Sequence, residues 1–181
     1  MGEGSGDELE AVDAEEPDLR RAGATPFDEA RFREVMGHFA TGVTIVTAME
    51  GSEPVGFTCQ TFTSLSIDPP LVALAPGKSS TSWPRIAAAK TFCVNILADD
   101  QEALSRDFAV SGGDKFTGVG WQPGASGAPV LDGALAWIEC ELELVHDAGD
   151  HELVIGKVRE MGVSRRQPLL YYRGGFGRFE P

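Results

Sequence analysis

The stretch Gly56-Phe57-Thr58-Cys59-Gln60-Thr61-Phe62-Thr63-Ser64-Leu65-Ser66-Ile67-Asp68-Pro69-Pro70 places five hydroxyl residues and one amide in a region with the β-branched and aromatic content of a strand. A buried strand ordinarily reads as a run of Val, Ile and Leu. By alternation, Thr58, Gln60, Phe62, Ser64 and Ser66 share one face, and Cys59, Thr61, Thr63 and Leu65 share the other. Hydrogen-bonding groups on both faces suit a strand against which a flat polar ligand lies. The plainer alternative is an edge strand with one polar face. Lys78-Ser79-Ser80 follows, at the expected start of a helix, where free N–H groups and the helix dipole favour an anion. The same tripeptide also reads as a solvated turn with an N-cap serine. Together the two motifs suggest a ligand with a hydrogen-bonding ring at one end and a phosphate at the other.

The third candidate is Gly149-Asp150-His151, in an expected hairpin turn, where a histidine is ordinarily just a turn residue. His146, Asp147, Asp150 and His151 flank that turn, but no HExxH motif or Cys pair supports a metal site. A serine nucleophile on a sharp elbow is excluded by the lack of any G-x-S-x-G. The run Arg173-Gly174-Gly175-Phe176-Gly177-Arg178-Phe179 is a single copy in an acidic chain, which argues against nucleic acid.

The elements that must position these residues are legible in outline. Thr25-Pro26-Phe27-Asp28 reads as a helix start, with an N-cap threonine, proline at the first helical position and an acid in the first turn. Phe32, Val35, Met36 and Phe39 recur at helical spacing, His38 sits beside that face as a packing residue, and Thr41-Gly42 ends the helix. Val43–Thr47 predicts a strand, Gly51–Pro54 a turn, and Val55 onward the return strand through the hydroxyl-rich stretch. Leu71–Ala75 predicts a short buried strand, and Ser82–Ala89 a helix with Trp83 and Ile86 inward. Thr91–Leu97 predicts a further strand. Asp99 or Asp100 is expected to cap a helix carrying Leu104 and Phe108. Ser111–Gly127 predicts a long loop anchored by Phe116 and Trp121, and loops of that length are often functional. Leu135–Val145 and Leu153–Val158 predict a hairpin around Asp147–Asp150, and Leu169–Tyr172 a last strand before a glycine-rich tail. About seven closely spaced strands with three helices favour an antiparallel barrel over a doubly wound sheet.

The chain has 181 residues and 42% apolar residues, enough for one domain with a real core, expected over 26–181. Its net charge of −13 argues against nucleic acid and anionic membranes as partners. Residues 1–25 alone carry −6 and lack apolar periodicity, so they read as a disordered acidic tail without the features of a signal peptide. No apolar run approaches the roughly 20 residues of a membrane helix. Cys59, Cys93 and Cys140 are odd in number and far apart, as buried or site-lining thiols of a reducing compartment are, which places the protein in the cytoplasm.

These motifs, in this order, resemble the flavin reductase-like proteins with an FMN-binding split barrel, including the short-chain NAD(P)H:flavin reductases that serve two-component monooxygenases. The resemblance is carried by Phe39–Thr47, Gly56-Phe57-Thr58, Phe62–Val72, Lys78-Ser79-Ser80, Phe92–Leu97, Phe108-Ala109, Phe116 with Gly118, Pro129-Val130-Leu131, Gly149-Asp150-His151 and Leu170–Arg173. It runs from about Phe32 to Phe179. It implies a mainly β fold with peripheral helices, a split antiparallel barrel, and FMN or FAD reduced by NADH or NADPH. It implies that Thr58, Cys59, Gln60, Thr61, Phe62, Thr63 and Ser64 line the isoalloxazine and ribityl chain. Lys78, Ser79 and Ser80 would hold the phosphate, Phe108 would lie near the cleft, and His151 near the nicotinamide. A homodimer is implied, with reduced flavin diffusing to a separate oxygenase. The alternative is a flavin-binding protein without reductase turnover. Many relatives carry Asn or Ser after the threonine matching Thr58, where this chain has Cys59-Gln60. Relatives also often have an acidic or polar residue before the lysine, where this chain has Ala75-Pro76-Gly77.

Overall fold

Two residues, Gln60 and Thr61, join strands that lie at opposite edges of one sheet, and that connection shapes the molecule. The computed structural model describes residues 27–180. Helix α1 (Glu29–Met36) is followed by β1 (Thr41–Gly42), β2 (Thr44–Glu50), β3 (Glu53–Cys59), β4 (Phe62–Ser66) and β5 (Leu71–Leu74). Then come α2 (Trp83–Ala89), β6 (Thr91–Ile96), α3 (Glu102–Ala109), β7 (Trp121–Pro123) and β8 (Pro129–Leu131). The chain ends with β9 (Ala136–Ala148), β10 (His151–Val163), β11 (Leu169–Tyr172) and β12 (Gly175–Arg178). Seven strands form one sheet in the order β3-β2-β6-β9-β10-β5-β4, with antiparallel pairing throughout. Laid flat, its two edges would stand roughly 29 Å apart at the usual strand spacing. The three steps from Cys59 to Phe62 span only about 11 Å. The sheet therefore curls until β3 and β4 meet, and the fold is a split antiparallel β-barrel with helices at its periphery, as the sequence predicts.

Alternation places the core. Val46, Ala48, Val55, Phe57, Val72, Leu74, Phe92, Val94 and Val154 come from five strands around the curl and pack together with Trp83 and Ile86 of α2. Val43, Ile45, Leu97, Phe108, Leu131 and Leu169 form a second cluster outside, under α3 and the β7–β8 ribbon. Strand β2 thus feeds both layers from its two faces. Each large side chain buried this way contributes about 1.5–3 kcal/mol.

Buried polar groups hold the ribbon in place. Asn95 Nδ2 donates to the carbonyl of Pro129 at 3.3 Å, and its Oδ1 accepts from the Leu131 amide at 2.8 Å. Glu139, 1% exposed, accepts the amides of Ala125 and Ser126 at 2.8 and 2.9 Å and the Ser126 hydroxyl. A buried carboxylate tolerates this position because three donors converge on it. Its pairing on β9 sets its burial, so nothing in its local sequence distinguishes it from a surface glutamate.

Several elements differ from the sequence expectation. The cap of α1 is Asp28, whose Oδ1 accepts from the Arg31 amide at 3.1 Å; Thr25, Pro26 and the acidic tail 1–25 lie outside the described residues. The helix ends at Met36, and Thr41-Gly42 is a strand paired with β11. The Phe32, Val35, Met36 and Phe39 face is exposed, at 53%, 58%, 54% and 72%. His38 is likewise exposed, its ring edge-on to Tyr172 at 6.2 Å. Asp99 and Asp100 do not cap α3: Asp100 pairs with Arg166, and the position before the helix is Gln101. The loop expected over Ser111–Gly127 contains β7, although Phe116 and Trp121 do anchor it, with Phe116 5.0 Å from Phe108 and 6.4 Å from Trp121. The glycine-rich tail folds back as β12 because Arg173 and Gly174, at φ 50° and 81°, make the tight turn that strand twist favours. The expected continuous strand from Val55 through Ile67 is broken at Gln60–Thr61, so alternation does not carry across it. Among the described residues there are twelve strands rather than about seven, because short paired segments carry too few residues for alternation to register.

Candidate functional site

The break at Gln60–Thr61 opens a cavity at the barrel seam. It measures about 350 Å³, within the range of small-molecule sites. One wall is the end of β3 and the link, Phe57 to Thr61. A second is Ala75 to Ser82 without Lys78, and a third is the C-terminal end of α3 with Ser111 and Lys115. His151 completes the lining.

Long-range pairing brings the three sequence motifs together. Gly149, at φ 74°, turns β9 into β10 through a two-residue loop, Gly149-Asp150. The start of β10 then pairs with the segment after β5. The Lys78 amide donates to the Asp150 carbonyl at 2.9 Å, and the Glu152 amide donates to the Pro76 carbonyl at 3.0 Å. Gly77 bridges His151 directly. The lysine-serine loop and the histidine hairpin are therefore one structural unit, seated beside the hydroxyl-rich link.

Thr58 donates its hydroxyl to the Ser105 carbonyl at 2.6 Å, tying β3 to α3. Thr61 Oγ1 donates to the Ala75 carbonyl at 2.9 Å, and the Ala75 amide donates to Thr61 Oγ1 at 3.1 Å and to the Thr61 carbonyl at 3.2 Å. That clasp stitches the two edges of the split. Gln60 is exposed, and its side chain is free to face a ligand. Cys59 is buried, and desolvation pushes its thiol up; burial drives Cys93 and Cys140 to about 12, with the Glu139 charge adding to both. The three thiols are thus held protonated, away from nucleophilic chemistry.

Ser80 Oγ accepts from the Trp83 amide at 3.1 Å, so it caps the first turn of α2 while lining the cavity. The anion reading and the capping reading of this serine are both compatible with its position. Among the described residues, the Ser79 and Thr81 amides have no backbone partner. His151 Nδ1 lies 2.8 Å from Asp150 Oδ1, which leaves Nε2 toward Gly77. The His151 hydrogen bond and its charge hold the Asp150 carboxyl below the ordinary range. Phe108 is fully buried and forms part of the cavity wall.

Not every expected residue converges here. Phe62 and Thr63 line a neighbouring apolar groove, and Ser64 is exposed on β4, beyond the seam. Lys78 does not line the cavity; its Nζ lies 2.5 Å from Asp147 Oδ2, and that contact holds the Asp147 carboxyl below its ordinary range. Among the described residues, no group of three or more His, Cys, Asp or Glu is placed to hold a metal ion. Sequence reasoning missed Lys115, whose Nζ donates to the Phe108 carbonyl at 3.0 Å and to that of Gly56 at 3.3 Å. The only signal was its place in a long loop with aromatic anchors.

A phosphorylated ring compound fits this donor set. Hydroxyls and amides cluster at the Ser79–Thr81 end, and polar groups with exposed backbone line the Thr58–Thr61 end. Gly77 leaves open the space that a Cβ would fill, 3.7 Å from both His151 Nε2 and Ser79 Oγ.

Comparison with known proteins agrees with that chemistry. Residues 36–180 match the flavin reductase like domain. The reductase subunit of a flavin-dependent monooxygenase from Rhodococcus jostii is 46% identical over 159 residues, covering 87% of this chain and 82% of its own. The structure of a nitrilotriacetate monooxygenase component B homolog from Mycobacterium thermoresistibile superposes with a TM-score of 0.83 at 47% identity, over 85% of this chain and 88% of its own. The NADH:FAD oxidoreductase of Streptomyces globisporus, solved with NAD and FAD fragments, gives a TM-score of 0.81 at 41% identity, over 85% of this chain and 94% of its own. With a split barrel, a seam cavity suited to a phosphorylated ring, and matches of this extent, the chain belongs to the flavin reductase-like family.

Proposed function

We propose that this protein is an NAD(P)H:flavin oxidoreductase that reduces FMN or FAD, with NADH as the preferred donor, and releases the reduced flavin to a separate oxygenase component. The observation that carries the reading is the seam cavity, where Thr58–Thr61, the Ser79–Thr81 loop and His151 meet. Bound in the cavity, flavin would supply the hydride-acceptor chemistry toward the nicotinamide. The chain's own residues bind, align and exclude water. Thr58, Cys59, Gln60 and Thr61 form the bed for the ring. Ser79 and Ser80 take the phosphate end, Phe108 closes the inner wall, and His151, which lines the cavity, would lie near the nicotinamide. Asp150 fixes the ring orientation of His151 through Nδ1. Preference for NADH follows from the absence of an arginine cluster around Gly149-Asp150-His151 that would hold a 2′-phosphate.

The test is a matrix of NADH and NADPH against FMN and FAD, followed at the nicotinamide absorbance. Oxidation should require added flavin and should run faster with NADH. Tight stoichiometric flavin with no nicotinamide oxidation would favour a flavin-binding protein without turnover, and no flavin dependence at all would remove the reading.

The same reading includes a homodimer. The uncovered α1 face is continuous with an apolar groove lined by Met36, Phe39, Phe62, Leu74 and Leu153. That groove shares Gln60, Thr61 and Ala75 with the seam cavity. Among the described residues, Thr41 Oγ1, also in the groove, is a buried polar atom with no partner. A second copy seated here covers the apolar surface and borders the flavin. Sedimentation equilibrium at micromolar concentration should give twice the chain mass, and Phe39→Glu should shift it toward monomer; a wild-type monomer would refute the dimer.

A further inference from the structure

A phosphate in the seam cavity is held more tightly with a cation nearby, and Lys78, adjacent to Ser79 and Ser80 in sequence, is turned away onto Asp147. Among the described residues, the only Lys or Arg lining the cavity is Lys115. Two of the three donors of its ammonium are used, by the carbonyls of Phe108 and Gly56. It has no carboxylate within ion-pair distance among the described residues, and burial lowers its proton affinity. A half-desolvated ammonium with a spare donor is costly unless an anion joins it.

Its position specifies which part of the ligand it meets. Lys115, Thr81 and Ser82 line both the seam cavity and an adjoining cavity of about 250 Å³. They therefore flank the junction at the Ser79–Ser82 end, away from the Gln60–Thr61 bed. The acids near that junction are partly committed elsewhere. Asp114 accepts the amides of Phe116 and Thr117 at 2.9 and 3.2 Å, and Glu50 holds Arg85 at 2.7 Å; Glu53 lines the outer cavity.

We propose that Lys115, rather than Lys78, is the cation that binds the phosphate of the flavin nucleotide, at the junction of the two cavities. This assignment rests on the flavin reading above. A purely structural lysine, clasping the last turn of α3 to β3, would affect every flavin alike.

Riboflavin, which lacks the phosphate, separates the two roles. Equilibrium affinities for riboflavin, FMN and FAD, measured by quenching of flavin fluorescence, should be compared for wild type, Lys115→Met, Lys115→Arg and Lys78→Met. Loss of one charge-assisted contact should weaken FMN and FAD by about tenfold or more in Lys115→Met, with riboflavin within about twofold. Lys115→Arg should recover most of the loss, and Lys78→Met should stay within about twofold of wild type. Raising the salt concentration should narrow the gap between wild type and Lys115→Met. Equal weakening of riboflavin and FMN, or undiminished FMN binding in Lys115→Met, would overturn the assignment while leaving the flavin reading intact. Wild type that binds none of the three would overturn both.

Discussion

Phe108→Ala should lower the unfolding free energy by about 3–5 kcal/mol, the cost of deleting a fully buried phenyl group whose surroundings relax only in part. The ring is 0% exposed and stacks edge-on against Phe116 at 5.0 Å. It also fills the space above Gly56, where an added Cβ would stand 2.8 Å from Phe108 Cε1 and 3.1 Å from the Val46 carbonyl oxygen. That contact makes the prediction sharper than a single number. Gly56→Ala alone should overpack the site and cost about 1–3 kcal/mol. In the double variant the two changes should cost less than their sum, because the new methyl group occupies part of the vacated volume. Chemical denaturation of the four proteins measures all the terms. Strict additivity would mean that Gly56 and Phe108 do not share this space. Because Phe108 also lines the seam cavity, flavin-dependent NADH oxidation should fall in Phe108→Ala even below its unfolding midpoint.

The largest effect on activity is expected from Ser79→Asp. Ser79 lines the cavity, and its amide has no backbone partner among the described residues, so a carboxylate there would face the flavin phosphate directly. Two unit charges about 4 Å apart at an effective dielectric near 20 repel by about 4 kcal/mol. Salt screening and side-chain movement reduce that figure, which leaves a rise in the KM for FMN or FAD on the order of a hundredfold. Riboflavin should be nearly unaffected. Ser79 is the better position for this test than Ser80, whose hydroxyl accepts the Trp83 amide and supports the start of α2. Initial rates of NADH oxidation against flavin concentration provide the measurement. A KM for FMN that rises no more than that for riboflavin would place the phosphate elsewhere.

Much of this architecture is local in origin and legible in the sequence. Trp83 and Ile86 are buried on α2 as their spacing predicts, and β6 runs over Thr91–Ile96 where β-branched and aromatic residues cluster. The Gly149-Asp150 turn occurs where its glycine permits a positive φ. The polarity of Thr58–Thr61 falls at the link between β3 and β4, which lines the seam cavity. Features set by a distant neighbour leave no such local mark. The α1 stripe has the period of a core helix, yet no element among the described residues covers it.

By itself, the amino-acid sequence determined the elements, the polar wall and the order of motifs that marks the family, because periodicity, caps and turn residues act over a few positions. Only the tertiary structure decided that the polar stretch is two strands on opposite edges, joined at the seam where the cavity opens. It also decided that Lys78 turns outward while Lys115 turns in, and that Glu139 is buried under the β7–β8 ribbon. The physical reason is the same in each case: strand order and register are settled by pairing between residues far apart in the chain, and that pairing sets which face of each side chain meets water, core or ligand.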